Sequence, residues 1–243
     1  MNLLIDMGNT RIKWAIDSNG QLIIGQALVN RLLDRQQLID LWAKLIKPQS
    51  IGLSCVSANP LLALVQSVVL ELWPESEIIF VKAQSRAFGI VNAYQHPEKL
   101  GTDRWLALVA VRQHYVMPVC IVDCGTAITV DLLGTDGIHQ GGFISAGLTL
   151  MKQALAQGTD ALPFNQAHYP VSHADFTEAA IYAGTLCSAV GLIEHVLKKQ
   201  TETMQLILTG GDAALIAQQL IMPLVLDADL VLKGLAIVLS DQA

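Results

Sequence analysis

Charge is scarce in this chain. Only 15% of its 243 residues are Asp, Glu, Lys or Arg, against 52% hydrophobic residues, which is ample material for a large core. There is no cluster of Lys and Arg, the formal net charge is -6 and the pI is near 5.4. That balance excludes wrapping of nucleic acid, which relies on a basic face to neutralise phosphates. Cysteines are few as well. Cys55, Cys120, Cys124 and Cys187 make no C-x-x-C pair, and Cys120 and Cys124 sit at the two ends of an expected strand, whose alternating backbone gives no zinc-ligand geometry. Buried reduced thiols are expected. No pair among the six histidines has helical metal spacing. Every apolar run is interrupted by Pro, Asp, Lys or Gln before the roughly 18 residues a membrane span needs, so no membrane partner is expected. No basic segment precedes Asp6, so no signal peptide is expected and the chain reads as cytoplasmic.

What is present is alternation. Residues 2–6, 11–16 and 21–28 read as strands, followed by a helix over 34–46, a strand over 51–55, a helix over 60–72 and a strand over 78–81. A polar loop then leads to a helix that starts near Thr102. Strands follow over 119–123, 127–133 and 138–144, with a helix after the last of them. A polar loop over 157–174 precedes a long helix over 175–199, a strand over 205–209, a helix over 211–220, a strand over 223–226 and a last helix over 229–239. The class is α/β, with mixed sheets flanked by helices. "LLIDMGNTRIKWAID" near the start is echoed by "CIVDCGTAITVDLL" at 120–133: strand, Asp, one residue, Gly, a Thr within two residues, strand. Asp6 and Asp123 are 117 residues apart, about half the chain. The echo implies two duplicated domains, 1–115 and 116–243, facing across a cleft.

The residues that could carry chemistry stand at the ends of strands. In Asp6-Met7-Gly8-Asn9-Thr10 and Asp123-Cys124-Gly125-Thr126, the glycine lets backbone N–H groups approach a ligand, and Asn and Thr add donors suited to phosphate oxygens. An acid beside a phosphate requires a cation between them. A capping turn uses the same residue types, and one such motif alone would be read that way; two matched copies favour the phosphate reading. In "LGTDRW", Asp103 is either a first-turn cap or a base that accepts a proton from an alcohol, with Arg104 positioned to grip a carboxylate. "LTGGDAALI" brings Gly210 and Gly211 between a strand and a helix, where backbone can approach a nucleotide.

Together these segments resemble the type III pantothenate kinases, of the acetate and sugar kinase, heat-shock chaperone and actin superfamily. Asp6-Met7-Gly8-Asn9-Thr10-Arg11-Ile12-Lys13 is similar to the family's first phosphate loop and Gly101-Thr102-Asp103-Arg104 to its G-x-D-R segment. Asp123-Cys124-Gly125-Thr126-Ala127 resembles the second phosphate loop, Thr177-Glu178-Ala179-Ala180-Ile181 the substrate segment, and Thr209-Gly210-Gly211 the nucleotide segment. The resemblance implies two ribonuclease H-like, actin-like ATPase domains. It implies ATP-dependent phosphorylation of pantothenate to 4'-phosphopantothenate, the first step of coenzyme A biosynthesis. Asp103 would be the general base. Gly101, Thr102, Arg104 and Tyr94 would bind pantothenate, with Thr177 reaching it from the neighbouring subunit of a homodimer. Residues 6 to 13, Gly125, Thr126, Gly210 and Gly211 would bind ATP with Mg²⁺ near Asp6, and Asp123 would ligate a monovalent cation, K⁺ or NH₄⁺. One departure is Ala146, in Gly141-Gly142-Phe143-Ile144-Ser145-Ala146-Gly147, where the family has Pro; this frees φ and adds an N–H without removing a polar group. The rival readings are a kinase for another small alcohol or acid, and a non-catalytic transcription-accessory relative.

Overall fold

A computed structural model of the chain describes residues 1–56 and 59–241. Along the chain run β1 (Asn2–Met7), β2 (Arg11–Ser18), β3 (Gln21–Ile24), β4 (Leu28–Val29), α1 (Arg35–Trp42), β5 (Ser50–Cys55), α2 (Asn59–Leu72) and β6 (Glu77–Phe80). A short hairpin of β7 (Arg86–Ala87) and β8 (Ile90–Val91) precedes α3 (Thr102–His114). Then come β9 (Val119–Cys124), β10 (Ala127–Leu133), β11 (His139–Ala146), α4 (Leu148–Gly158), α5 (Thr177–Lys198), β12 (Gln205–Thr209), α6 (Ala213–Ala217), β13 (Leu224–Leu226) and α7 (Leu230–Asp241). The chain divides into two units, Met1–His114 with Asp229–Ala243, and Tyr115–Ala228.

The first unit is built on a sheet of order β3-β2-β1-β5-β6, with β4 beside β2. β1 runs antiparallel to β2 and parallel to β5, as a hairpin followed by a helical crossover requires. Leu3, Ile5, Met7, Ile12, Ile51 and Leu53 pack with Leu38 and Trp42 of α1 and with Val65 and Val68 of α2. A reciprocal capping box sets the start of α1: Asp34 accepts the Gln37 N–H at 2.8 Å and Gln37 accepts the Asp34 N–H at 3.1 Å. The strand expected over 21–28 is broken at Gly25. A Cβ there would lie 2.1 Å from the Trp14 indole, so the ring occupies the space that a continuing strand would need.

The last helix belongs to the first unit. α7 packs on α3, β1 and β5 in the first unit rather than on the second sheet. Gly52 leaves room for Leu235 and Leu239, whose side chains lie 3.2 and 2.6 Å from the position a Cβ would take. At Gly234, a Cβ would stand 2.0 Å from the Leu106 carbonyl oxygen, so the backbones of α3 and α7 touch there. Ala is a better helix former than Gly by about 1 kcal/mol, but a backbone clash cannot be relieved by a rotamer change. Gly234→Ala is therefore expected to destabilise by about 1–3 kcal/mol and to lower the thermal midpoint by roughly 3–10 °C. A raised midpoint in calorimetry would show that the two helices are not in contact at Leu106.

The second unit repeats the pattern with the order β11-β10-β9-β12-β13. β9 is antiparallel to β10 and parallel to β12, the arrangement that β1 has with β2 and β5. Its core joins Val122, Cys124, Ile128, Val130, Leu206 and Leu208 to Leu186, Ala189, Ile193 and Val196 of α5. With 22 residues and a mean hydropathy of 1.5, α5 is long and apolar enough to cross a membrane, contrary to the expected absence of such a run. Its charged residues Glu178, Glu194 and Lys198 lie towards the ends, and Ile181, Tyr182, Leu186 and Ile193 are buried as in a core helix.

Candidate active site

Asp6 stands near the end of the central strand of the first sheet. Lys13 of β2 is its register partner on one side and Ser54 of β5 on the other, and the Ser54 hydroxyl donates to the Asp6 carboxylate at 2.9 Å. Directly opposed residues share a face, so a base, an acid and a hydroxyl project together. The turn beyond closes through Gly8 N–H to the Arg11 carbonyl at 3.1 Å, leaving Asn9, Thr10 and Arg11 exposed. Asn30 holds that turn from outside. Its side-chain amide donates to the Gly8 carbonyl at 2.8 Å and its backbone N–H to the Thr10 carbonyl at 3.0 Å. Met7 and Ile12 are core residues, so their part in the loop is to anchor it.

Asp103 lies in the first turn of α3, and its carboxylate accepts the Arg104 N–H at 2.8 Å. The capping role is thus present, and it coexists with a position at the half-buried start of a helix where an anion is favoured. Glycine at 101 leaves the carboxylate in place: a Cβ there would stand 2.6 Å from the same oxygen and push it aside. Arg104 is buried, and one of its terminal nitrogens donates to the Tyr94 hydroxyl at 2.6 Å. The guanidinium carbon is 5.5 Å from the ring centroid. We read this contact as a hydrogen bond at the hydroxyl end, since the short bond already accounts for the distance. Gly101, Thr102, Asp103, Arg104 and Tyr94 are accordingly one cluster in the first unit.

In the second unit, Asp123 occupies the place in β9 that Asp6 has in β1. Its register partners are Thr129 of β10 and Thr209 of β12. Two glycines let the backbone pass close to its carboxylate. A Cβ at Gly210 would come within 2.5 Å of Oδ1, and one at Gly125 within 3.0 Å. Gly210 has φ +93°, which L side chains rarely adopt, and Asp212 N–H donates to the Cys124 carbonyl at 2.9 Å, drawing the chain over the end of β9. The helix expected over 211–220 is only the five residues of α6, too short to present a substantial dipole. Gly147, before α4, seals the other side: its N–H donates to the Thr126 carbonyl at 3.0 Å, and a Cβ there would meet the Gly125 carbonyl at 2.3 Å. Thr177, at the exposed start of α5, belongs to the second unit.

The carboxylates, hydroxyls and carbonyls at Asp6 and Asp123 are hard oxygen donors, which suit Mg²⁺ and alkali cations. Gly125 and Gly210 bring backbone polar groups close to the Asp123 carboxylate. Among the described residues no three His, Cys, Asp or Glu form a metal cluster. Burial disfavours the thiolate at both buried cysteines. Burial pushes the Cys120 thiol up to about 12, with Asp131 adding to it, and burial, Asp123 and Asp212 push Cys124 up further. Cys187 is exposed and Cys55 half-buried, so the expectation of buried thiols holds only for Cys120 and Cys124. His139 pairs with Asp131 at 2.9 Å deep in the second unit, a core contact.

The family model for type III pantothenate kinase matches residues 2–199. The chain belongs to this family. A type III pantothenate kinase from Nitrosococcus oceani is 38% identical over 262 residues, covering 99% of this chain and 94% of its own length. One from Nitrosomonas eutropha is 38% identical over 253 residues, covering 97% and 93%. Among solved structures, the activator of 2-hydroxyisocaproyl-CoA dehydratase from Clostridium difficile, with bound ADPNP, superposes with a TM-score of 0.58 at 13% identity. It covers 99% of this chain and 94% of its own, and at that identity it speaks for the fold alone. The fold is that of the actin-like ATPases and sugar kinases, duplicated mixed sheets flanked by helices. Ser54 and Asn30 entered the site only through the structure; of these, Ser54 carried a signal, a polar residue closing an apolar strand.

Proposed function

We propose that this chain transfers the γ-phosphoryl group of ATP to the primary hydroxyl of pantothenate, the reaction its family is named for, with Asp103 as general base. The observation that carries the proposal is the cluster at the start of α3, where an acid and a buried arginine held by a tyrosine stand side by side in a chain of this family. Arg104 offers a planar donor fork to the carboxylate of the acceptor, with Tyr94 setting its orientation. Asp103 orients the hydroxyl and takes its proton as the phosphorus–oxygen bond forms. Phosphoryl transfer depends mainly on placing the acceptor in line and offsetting charge. The loop Gly8–Thr10, with Arg11 and Lys13, and the loop Gly125–Thr126 supply N–H, hydroxyl and cationic groups to phosphate oxygens, and Gly210 and Gly211 give the nucleotide close access to backbone. Asp6 would hold Mg²⁺ and Asp123 K⁺ or NH₄⁺; when bound, these cations supply positive charge against the phosphates.

The proposal extends to a homodimer in the cytoplasm. β11 is an edge strand with Phe143 and Ile144 49% and 65% exposed, and such edges are normally covered. On α5, Ala180, Gly184 and Gly191 make an exposed face on the helix that Thr177 begins, a surface that a second copy could approach closely. Incubation with Mg-ATP and pantothenate should give 4'-phosphopantothenate by mass spectrometry, faster in potassium or ammonium than in sodium. No phosphorylated product would overturn the proposal, and turnover indifferent to potassium would remove the cation from Asp123.

A further inference from the structure

We propose that Asn92 is a positioning residue for the acceptor: it fixes the loop that aims the Tyr94 hydroxyl at Arg104, and so sets how the Arg104 fork meets a carboxylate. The inference rests on the reading of Arg104 and Tyr94 as the grip on pantothenate. The segment between β8 and α3 has little regular structure, so its backbone polar groups need other partners. Asn92, only 8% exposed, provides them. Its side-chain nitrogen donates to the carbonyls of Gln84 at 3.2 Å and Pro97 at 3.3 Å. Its side-chain oxygen accepts the Tyr94 N–H at 3.0 Å. Its own backbone N–H donates to the Ser85 carbonyl at 3.0 Å, closing the β7–β8 ladder. One residue thereby joins the segment entering the hairpin, the tyrosine and the 3-10 turn Pro97–Lys99 that leads to Gly101.

The hairpin delivering Asn92 is itself fixed. Its turn residues Phe88 and Gly89 have φ of 53° and 72°, the signature of a tight two-residue hairpin turn. Ile90 is fully buried, and a Cβ at Gly89 would stand 3.3 Å from the Arg112 side chain of α3. A path of short bonds thus runs from Asn92 to the Tyr94 N–H, through the Tyr94 hydroxyl, to Arg104. Asp at position 92 would keep the acceptor for Tyr94 but lose both donors, leaving the Gln84 and Pro97 carbonyls without that partner. Ala would lose all three bonds.

The test is steady-state kinetics on the full chain with Asn92→Ala, Asn92→Asp, Tyr94→Phe and the double variant Asn92→Ala/Tyr94→Phe. A misplaced fork costs acceptor affinity, so Asn92→Ala should raise KM for pantothenate about tenfold or more and leave KM for ATP within about twofold. The double variant should lose little more than Asn92→Ala alone, because both changes act on one path. Asn92→Asp should show a smaller rise in the same direction and serves where Asn92→Ala fails to fold. An unchanged KM for pantothenate, an equal rise for both substrates, or strictly additive losses would overturn the assignment. A parent protein without pantothenate-dependent turnover would instead overturn the functional reading on which it rests.

Discussion

An Asp103→Asn variant is expected to fold as the parent does and to lose roughly 10²- to 10⁴-fold in kcat, with KM for pantothenate little changed. The reason lies in what the substitution keeps. The carboxamide oxygen can still accept the Arg104 N–H that Asp103 accepts at 2.8 Å, so the first turn of α3 remains capped. The helix loses one favourable anion at its N-terminus, a matter of about 0.3–1 kcal/mol. The carboxylate proposed to accept the proton, by contrast, is gone outright. Thermal unfolding and initial rates on the same preparation separate the two effects. A parental rate with a parental midpoint would leave Asp103 as a cap and nothing more.

Gly210→Ala is expected to damage the turn after β9, the loop proposed here to hold phosphate. Residue 210 has φ +93°, which costs a non-glycine residue about 1–2 kcal/mol. The added methyl would also lie 2.5 Å from both the Asp123 carboxylate and the Cys124 carbonyl carbon. The carboxylate could swing aside, but the backbone of β9 could not, and such overpacking costs about 1–3 kcal/mol more. A loss of about 2–5 kcal/mol in stability follows, with KM for ATP raised about tenfold or more as Asp123 and its cradle shift. For stability, Gly211→Ala is the control, since a Cβ there meets nothing within 4 Å. Equal melting of the two variants would contradict the close packing at Gly210.

Much of this site was legible because turn chemistry and strand periodicity are local. The Asp-x-Gly turns fall at the ends of β1 and β9, and the echo between the halves becomes two sheets of matching order. What escaped was decided by distant partners. Nothing in the sequence around Gly25 says that Trp14 fills the space beside it, and nothing in α7 says that Leu106 lies against Gly234. Asn92 reads as an ordinary loop asparagine until Gln84, Tyr94 and Pro97 are seen around it. The apolar run of α5 likewise takes its meaning from the second core into which it packs.

The central claim is that the cluster at the start of α3 receives pantothenate and no other class of acceptor. The most direct measurement is ATP-dependent ADP release by the parent protein in potassium, with pantothenate, acetate, glycerol or a hexose supplied in turn. Pantothenate should stimulate release far above the other three, and equal stimulation by any of them, or none by pantothenate, would contradict the account.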